Sequence, residues 1–167
     1  SYGGTGIDKA VAIVNNIENS YTILGNTNSQ YIKGTISKGM NDFIMIKLDS
    51  EGNTISKIRH GSSDFDFAKD IIQTSDGSYF ITGYSKNPNN LLDTGLDKNA
   101  VFLSQTQQNG IHEKSWFIKG SENDLGISLC QIKNGSIITV GTTESSDGDF
   151  QRINSKSTDI FIAILKE

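Results

Sequence analysis

Apolar residues in this chain come in short runs separated by Gly, Asn, Asp and Ser. The stretch Ile72-Gln73-Thr74-Ser75-Asp76-Gly77-Ser78-Tyr79-Phe80-Ile81-Thr82-Gly83-Tyr84-Ser85 reads as strand, tight turn, strand. Asp-Gly between two apolar runs is a strong hairpin signal, because a two-residue turn of matching twist needs positive φ at its central residues. The pattern returns at 14–27 and at 130–143, with Gly25, Gly83 and Gly141 spaced 58 residues apart. Asp8, Asp66 and Asp124 fall in the same register, as do Ile13, Ile71 and Leu129. So many coincidences at one offset define an internal repeat.

Each repeat predicts four strands. The first two are 10–15 and 21–26, with equivalents one and two repeats on. Strand 3 is 43–48, then 101–104, then 160–165, and strand 4 is 54–59 and 114–119. Short turns join strand 1 to 2 and strand 3 to 4, and a longer loop joins strand 2 to 3, so each repeat is an antiparallel meander. The repeats run about 2–59, 60–118 and 119–167, the third lacking its fourth strand. Strands 2 and 3 are apolar without alternation, so both faces need cover. Stacked copies of the meander supply it. Strand 1 carries small residues (Ala10, Ala68, Gly126), which suits a crowded inner position, and strand 4 is polar, which suits an outer edge.

The fold class is therefore all-β. Three four-stranded blades stacked radially make a partial β-propeller or half of a six-bladed ring. A β-trefoil, also built of three four-stranded repeats, is the alternative, and 58 residues is long for it. Ser1-Tyr2-Gly3-Gly4 aligns with the end of strand 4 at His60-Gly61 and Lys119-Gly120. The chain thus opens on the tail of a fourth strand and closes on a third, which predicts exposed strand edges, pairing between chains, or further repeats in a longer protein.

Composition narrows the function classes. Seventeen glycines, one proline and 35% apolar residues suit a turn-rich all-β chain. The net charge of -4 argues against nucleic acid, whose phosphates call for a basic face. No apolar run approaches the roughly 20 residues of a membrane span. Cys130 is the single cysteine, which excludes an internal disulfide; it stands where Val14 and Ile72 stand and reads as a small buried hydrophobe. The chain starts at Ser1 without Met, which reads as a processed or excised segment.

Candidate chemistry is sparse. Asp8, Asp66 and Asp124 recur in every repeat and read as turn carboxylates accepting backbone N–H bonds. Asp147 and Asp149, with Glu144, offer a weak start to a Ca²⁺ site, which wants six to eight oxygens. His60 and His112 lack metal-ligand spacing and read as surface residues. No cofactor or catalytic residue is expected. The loops between strands 2 and 3 (27–41, 85–99 and 143–157) are long and unlike one another, and variable loops on a fixed scaffold are where specificity resides. Their candidate ligand contacts are Tyr31, Lys33, Asn87, Asn90, Asp93, Asp149, Phe150 and Arg152.

Three motifs in order carry a resemblance. They are Gly3-Gly4-Thr5-Gly6-Ile7-Asp8-Lys9-Ala10, the Thr-x-Asp-Gly-x-Tyr-x-x-x-Gly pattern at Thr74 to Gly83, and Asp42-Phe43-Ile44-Met45-Ile46-Lys47-Leu48-Asp49-Ser50-Glu51-Gly52. Ser145-Ser146-Asp147-Gly148-Asp149-Phe150 and the strand-4 Trp116 add to it. The chain resembles propeller-type repeats of bacterial secreted and cell-surface proteins. Repeat 2 departs from the pattern, with Asn99-Ala100 in place of the Asp before strand 3. The resemblance implies an extracellular or cell-surface location and brings no common catalytic residue. The expected function is a non-enzymatic binding or adhesion module, taking a glycan or a surface protein on its loop face. The alternative is a structural subunit that assembles into rings or fibres through open strand edges. A sialidase-like enzyme ranks last: its sugar carboxylate calls for several arginines, and the chain has Arg59 and Arg152 only.

Overall fold

The computed structural model describes residues 1–86, 98–150 and 157–166. Thirteen strands form among them and no helix. β1 (Asp8–Asn16), β2 (Ser20–Thr27), β5 (Asp42–Leu48) and β6 (Thr54–His60) make the first sheet, an antiparallel meander. β7 (Asp66–Gln73), β8 (Tyr79–Ser85), β9 (Ala100–Thr106) and β10 (His112–Ile118) make the second in the same order. β11 (Asp124–Gln131), β12 (Ile137–Thr143) and β13 (Asp159–Leu165) make a three-stranded third. The expected strands are all present, most of them longer by a residue or two at their ends, while β10 starts two residues earlier than expected and ends one earlier. One expectation is corrected: the stretch 27–41 holds a small hairpin of its own, β3 (Tyr31–Ile32) with β4 (Thr35–Ile36).

The hairpin turns differ from the two-residue type that Asp-Gly suggests. In the β7–β8 turn Gly77 N–H donates to the Thr74 carbonyl and Thr74 N–H to the Ser78 carbonyl, both at 2.9 Å. That is a three-residue loop in which only the last residue, Gly77 at φ 89°, is left-handed. Asn19 (φ 53°), Gly52, Gly110 and Gly135 hold the same place in the other turns. Asp76 is freed from positive φ, and its carboxylate accepts from Thr74 Oγ1 and Ser78 N–H instead.

A second repeated device explains the strand-2 glycines. Strand 1 of every sheet carries a bulge, at Ala10/Ala12, Ala68/Asp70 and Gly126/Ser128. Gly25, Gly83 and Gly141 pair with its first residue. A Cβ on Gly83 would strike the Phe67 carbonyl and one on Gly141 the Leu125 carbonyl, whereas on Gly25 the Lys9 carbonyl stands 3.1 Å off. Space, not φ, fixes these glycines. Gly83→Ala should therefore cost about 2 kcal/mol or more, in the range of core overpacking, and Gly25→Ala distinctly less. Urea midpoints of the two variants check the order.

The sheets stack face to face. Leu24, Phe43 and Met45 of the first meet Ala68, Ile71, Tyr79, Ile81 and Phe102 of the second. The other face of the second, with Phe80 and Leu103, meets Leu129 and Ile137 of the third. Strand 1 of each sheet touches strand 1 of the next. Strands 8 and 9 are thus covered on both faces, as their unbroken apolar runs require. β13 is not: Ile160, Ile162 and Ile164 are 82%, 69% and 55% exposed.

Two further expectations are overturned. Cys130 is exposed, because its strand face is the uncovered side of the third sheet. His60 is buried, because β6 ends between the first two sheets, where its ring stacks on Phe43 with centroids 5.2 Å apart.

Candidate functional site

The loops joining strands 2 to 3, and those joining one sheet to the next, emerge at the same end of the stack, as a meander requires. One carboxylate per sheet holds that end together. Asp8 Oδ1 accepts from Thr27 Oγ1 at 2.5 Å, and its Oδ2 accepts from Ser29 Oγ and Gly4 N–H, both at 2.9 Å. Asp124 repeats every bond with Thr143, Ser145 and Gly120. Asp66 Oδ2 accepts from Ser62 N–H and Ser62 Oγ. The turn role read from repetition is what the geometry shows.

The same set of donors gives opposite pKa directions. Burial pushes both Asp8 and Asp124 upward. At Asp8 the bonds from Thr27, Gly4 and Ser29 and the charge of Arg59 prevail, so its carboxyl lies below the ordinary value. At Asp124, which is fully buried, desolvation outweighs three equivalent donors and the pKa rises.

The first loop is built around a buried ion pair. Arg59 Nε donates to Asp42 Oδ2 at 2.6 Å, with the two side chains 2% and 0% exposed. The guanidinium also donates to the Ser29 carbonyl and to Ser37 Oγ, and Lys38 N–H donates to Asp42 Oδ2. The loop is thereby folded back on the sheet, and Ile32 packs on Ile44 and Ile46. Its outer side carries Tyr31 opposite Ile36, with Met40, Lys33 and Lys38 also exposed. Tyr31 and Lys33 were expected there. Ile36 and Met40 were not, although the strand-forming pairs Tyr31-Ile32 and Thr35-Ile36 flanking Lys33-Gly34 carry a legible hairpin signal.

The third loop is turned inward. Asp147 Oδ1 accepts from Ser121 N–H at 2.8 Å, and Asp149 Oδ2 from Lys119 N–H at 2.9 Å. Both carboxylates clamp the chain entering the third sheet. Phe150, expected at the loop surface as a ligand contact, is buried in an edge-on contact with Phe161, centroids 5.5 Å apart. Its neighbour Asp149 stays exposed. Among the described residues no three His, Cys, Asp or Glu side chains group as metal ligands would. Asn87, Asn90, Asp93 and Arg152 lie outside the described residues.

One pair of side chains has the makings of a nucleophile and base: His112 Nε2 lies 2.8 Å from Ser115 Oγ. The adjoining pocket, lined also by His60 and Asp66, holds about 20 Å³, enough for a water and no substrate. No protein-family model matches the chain, and no curated protein matches it.

Proposed function

We propose that the chain is a segment of an extracellular β-propeller that serves as a non-enzymatic binding module, with a glycan or a protein as its ligand. The observation that carries this is the contrast at the loop end. A repeated Asp–hydroxyl latch and the Arg59–Asp42 pair fix the loop bases, while the first loop displays an exposed apolar patch of Tyr31, Ile36 and Met40 beside two lysines. An exposed aromatic on a braced scaffold suits stacking on a sugar face or capping by a partner's side chain, because little conformational freedom is lost on binding. The propeller is supported by the stacking of meanders with strand 1 against strand 1. A sialidase-like reading is disfavoured, since Arg59 is committed to Asp42.

The test is a glycan array, with a panel of purified extracellular-matrix proteins as a second arm, probed with the labelled chain and with Tyr31→Ala and Ile36→Asp. Binding should appear on one arm and fall at least about tenfold in both variants, with the urea midpoint unchanged. Signal that survives both substitutions, or two empty arms, would remove the loop patch as the binding face.

A further inference from the structure

The two sheet junctions inside this chain obey one rule, and the chain's two outer faces fit the same rule. At the first junction Leu24 faces Ile81, and Phe43 stacks on Phe102 with centroids 5.4 Å apart. One repeat later Thr82 Oγ1 lies 3.0 Å from Thr139 Oγ1, and Val101 packs with Phe161. The loop-end hydrogen bonds repeat as well: Asp66 N–H donates to the Asn41 carbonyl and Asp124 N–H to the Asn99 carbonyl, both at 2.9 Å. Moved one repeat further, the positions of Phe43 and Val101 become Ile160, and those of Leu24 and Thr82 become Val140. These lie on the uncovered face of the third sheet. The partners become Ile44 and Ile23 on the outer face of the first sheet. There a cleft of about 230 Å³ opens among Ala10, Ile23, Gly25, Ile32, Ile44 and Ile46. Ile32 stands over Ile44 as Phe150 stands over Phe161, leaving beside it the place that Val101 fills.

The N-terminal arm marks the same junction from the other side. Tyr2 is the repeat equivalent of His60. His60 ends β6 and lines a pocket on the second sheet with His112 and Ser115. Tyr2 bonds Thr54 Oγ1 at 2.7 Å and lies beneath Lys57, the equivalents of His112 and Ser115. Residues 1–4 therefore rest on the first sheet where the tail of a preceding fourth strand would rest, and among the described residues no strand lies along the outer edge of β13.

We infer that the third sheet of one copy of this chain docks on the first sheet of a second copy, Ile160 entering the cleft beside Ile32 and the second copy's Tyr2 arm running along β13. The inference rests on the propeller reading above. A second copy is the fitting occupant because one chain displays both halves of a junction it already makes twice. A head-to-tail junction of this kind closes when two copies of three sheets complete a ring of six, which leaves neither face open.

The full 167-residue chain is weighed by light scattering during size exclusion, alone and as Ile162→Glu, with Ile111→Glu as an exposed control in a turn. The wild type and Ile111→Glu should run at twice the 18.2 kDa chain mass, and Ile162→Glu at the chain mass. Ile13→Cys adds a positional readout. Val14 and Ile72 pack against Ile71 and Leu129 at the internal junctions, so Cys130 should meet position 13 of the second copy. A short bis-maleimide should then give a covalent dimer, abolished by Cys130→Ser. A monomeric wild type, with its isoleucine face binding a hydrophobic dye, would overturn the inference and assign that face to another partner. A ladder of larger species would overturn the closed ring. Hydrogen exchange on monomeric Ile162→Glu keeps the readings apart: protected amides at Leu24, Ile81 and Thr139 leave the stacked sheets intact whatever the dimer does, and their loss would sink the propeller itself.

Discussion

Replacing Arg59 by Phe should cost about 3–5 kcal/mol, the largest effect expected from any single side chain here, because it leaves the Asp42 carboxylate buried without its cation. Asp42→Ala should be similarly costly, since it strands a guanidinium that is itself buried. The double substitution should not be. Repeat 2 shows why: Ala100, buried, stands where Asp42 stands, and Phe117, packed on the apolar core, stands where Arg59 stands. The chain thus holds the ionic and the apolar solution to one site. Writing the second into the first should recover most of the loss, giving a coupling of about 3 kcal/mol in a double-mutant cycle of urea midpoints. Additive effects would show that the pair is not the unit that matters. The double variant should still lose something else. Arg59 is what ties the Ser29 carbonyl and Ser37 to the sheet, so amide exchange at Ile32 and Thr35 should quicken while the sheet amides hold. Ion pairs of this sort are weak sources of stability, and here the pair serves to fold a loop back on its sheet.

Acid should destabilise the native chain through His60. Burial, with the positive charges of Lys38 and His112 adding to it, pushes its pKa down from 6.5 to about 4. In the unfolded chain it titrates near 6.5. Between those values the unfolded state takes up a proton that the native state refuses. Stability is therefore complete above pH 6.5, falls as the pH drops toward 4, and levels off below it. The loss by pH 4.5 should be about 2.5 kcal/mol. Asp66 and Asp124 act in the opposite sense, because burial raises their pKa above 3.8 and protonation then favours the native state as the pH falls toward that value. His60→Phe separates these contributions. It keeps the stack on Phe43 and removes a ring nitrogen, Nε2, that is buried without a partner. The variant should be at least as stable as the wild type at pH 7.5 and should lose distinctly less of its urea midpoint by pH 4.5, the remainder belonging to His112, whose pKa burial also lowers. Equal acid losses in both proteins would place the sensitivity elsewhere.

Several parts of this molecule are legible in the sequence. A fixed 58-residue offset located the hairpins that recur from repeat to repeat, because turn chemistry is local and each turn needs a left-handed residue at one place, while the unrepeated β3–β4 hairpin escaped it. Polarity placed β6 and β10 at sheet edges, since an edge strand meets water. The repeating aspartates announced their latch, because a carboxylate four residues from its N–H donor is a local arrangement.

What failed was whatever depends on the neighbour across a junction. His60 reads as a surface residue and is buried; Cys130 reads as buried and is exposed; Phe150 reads as a loop ligand and is core. Each follows the local pattern of its own repeat. Burial is set by whether a next sheet stands in front, and a repeat looks the same in sequence with or without one. The Arg59–Asp42 pair spans strands 17 residues apart, and composition cannot say that both ends lose their water. Sequence by itself determined the strands, the turns and their order, because those answer to backbone geometry. Tertiary structure alone decided which apolar face was covered, because hydrophobic cover comes from residues distant in the chain.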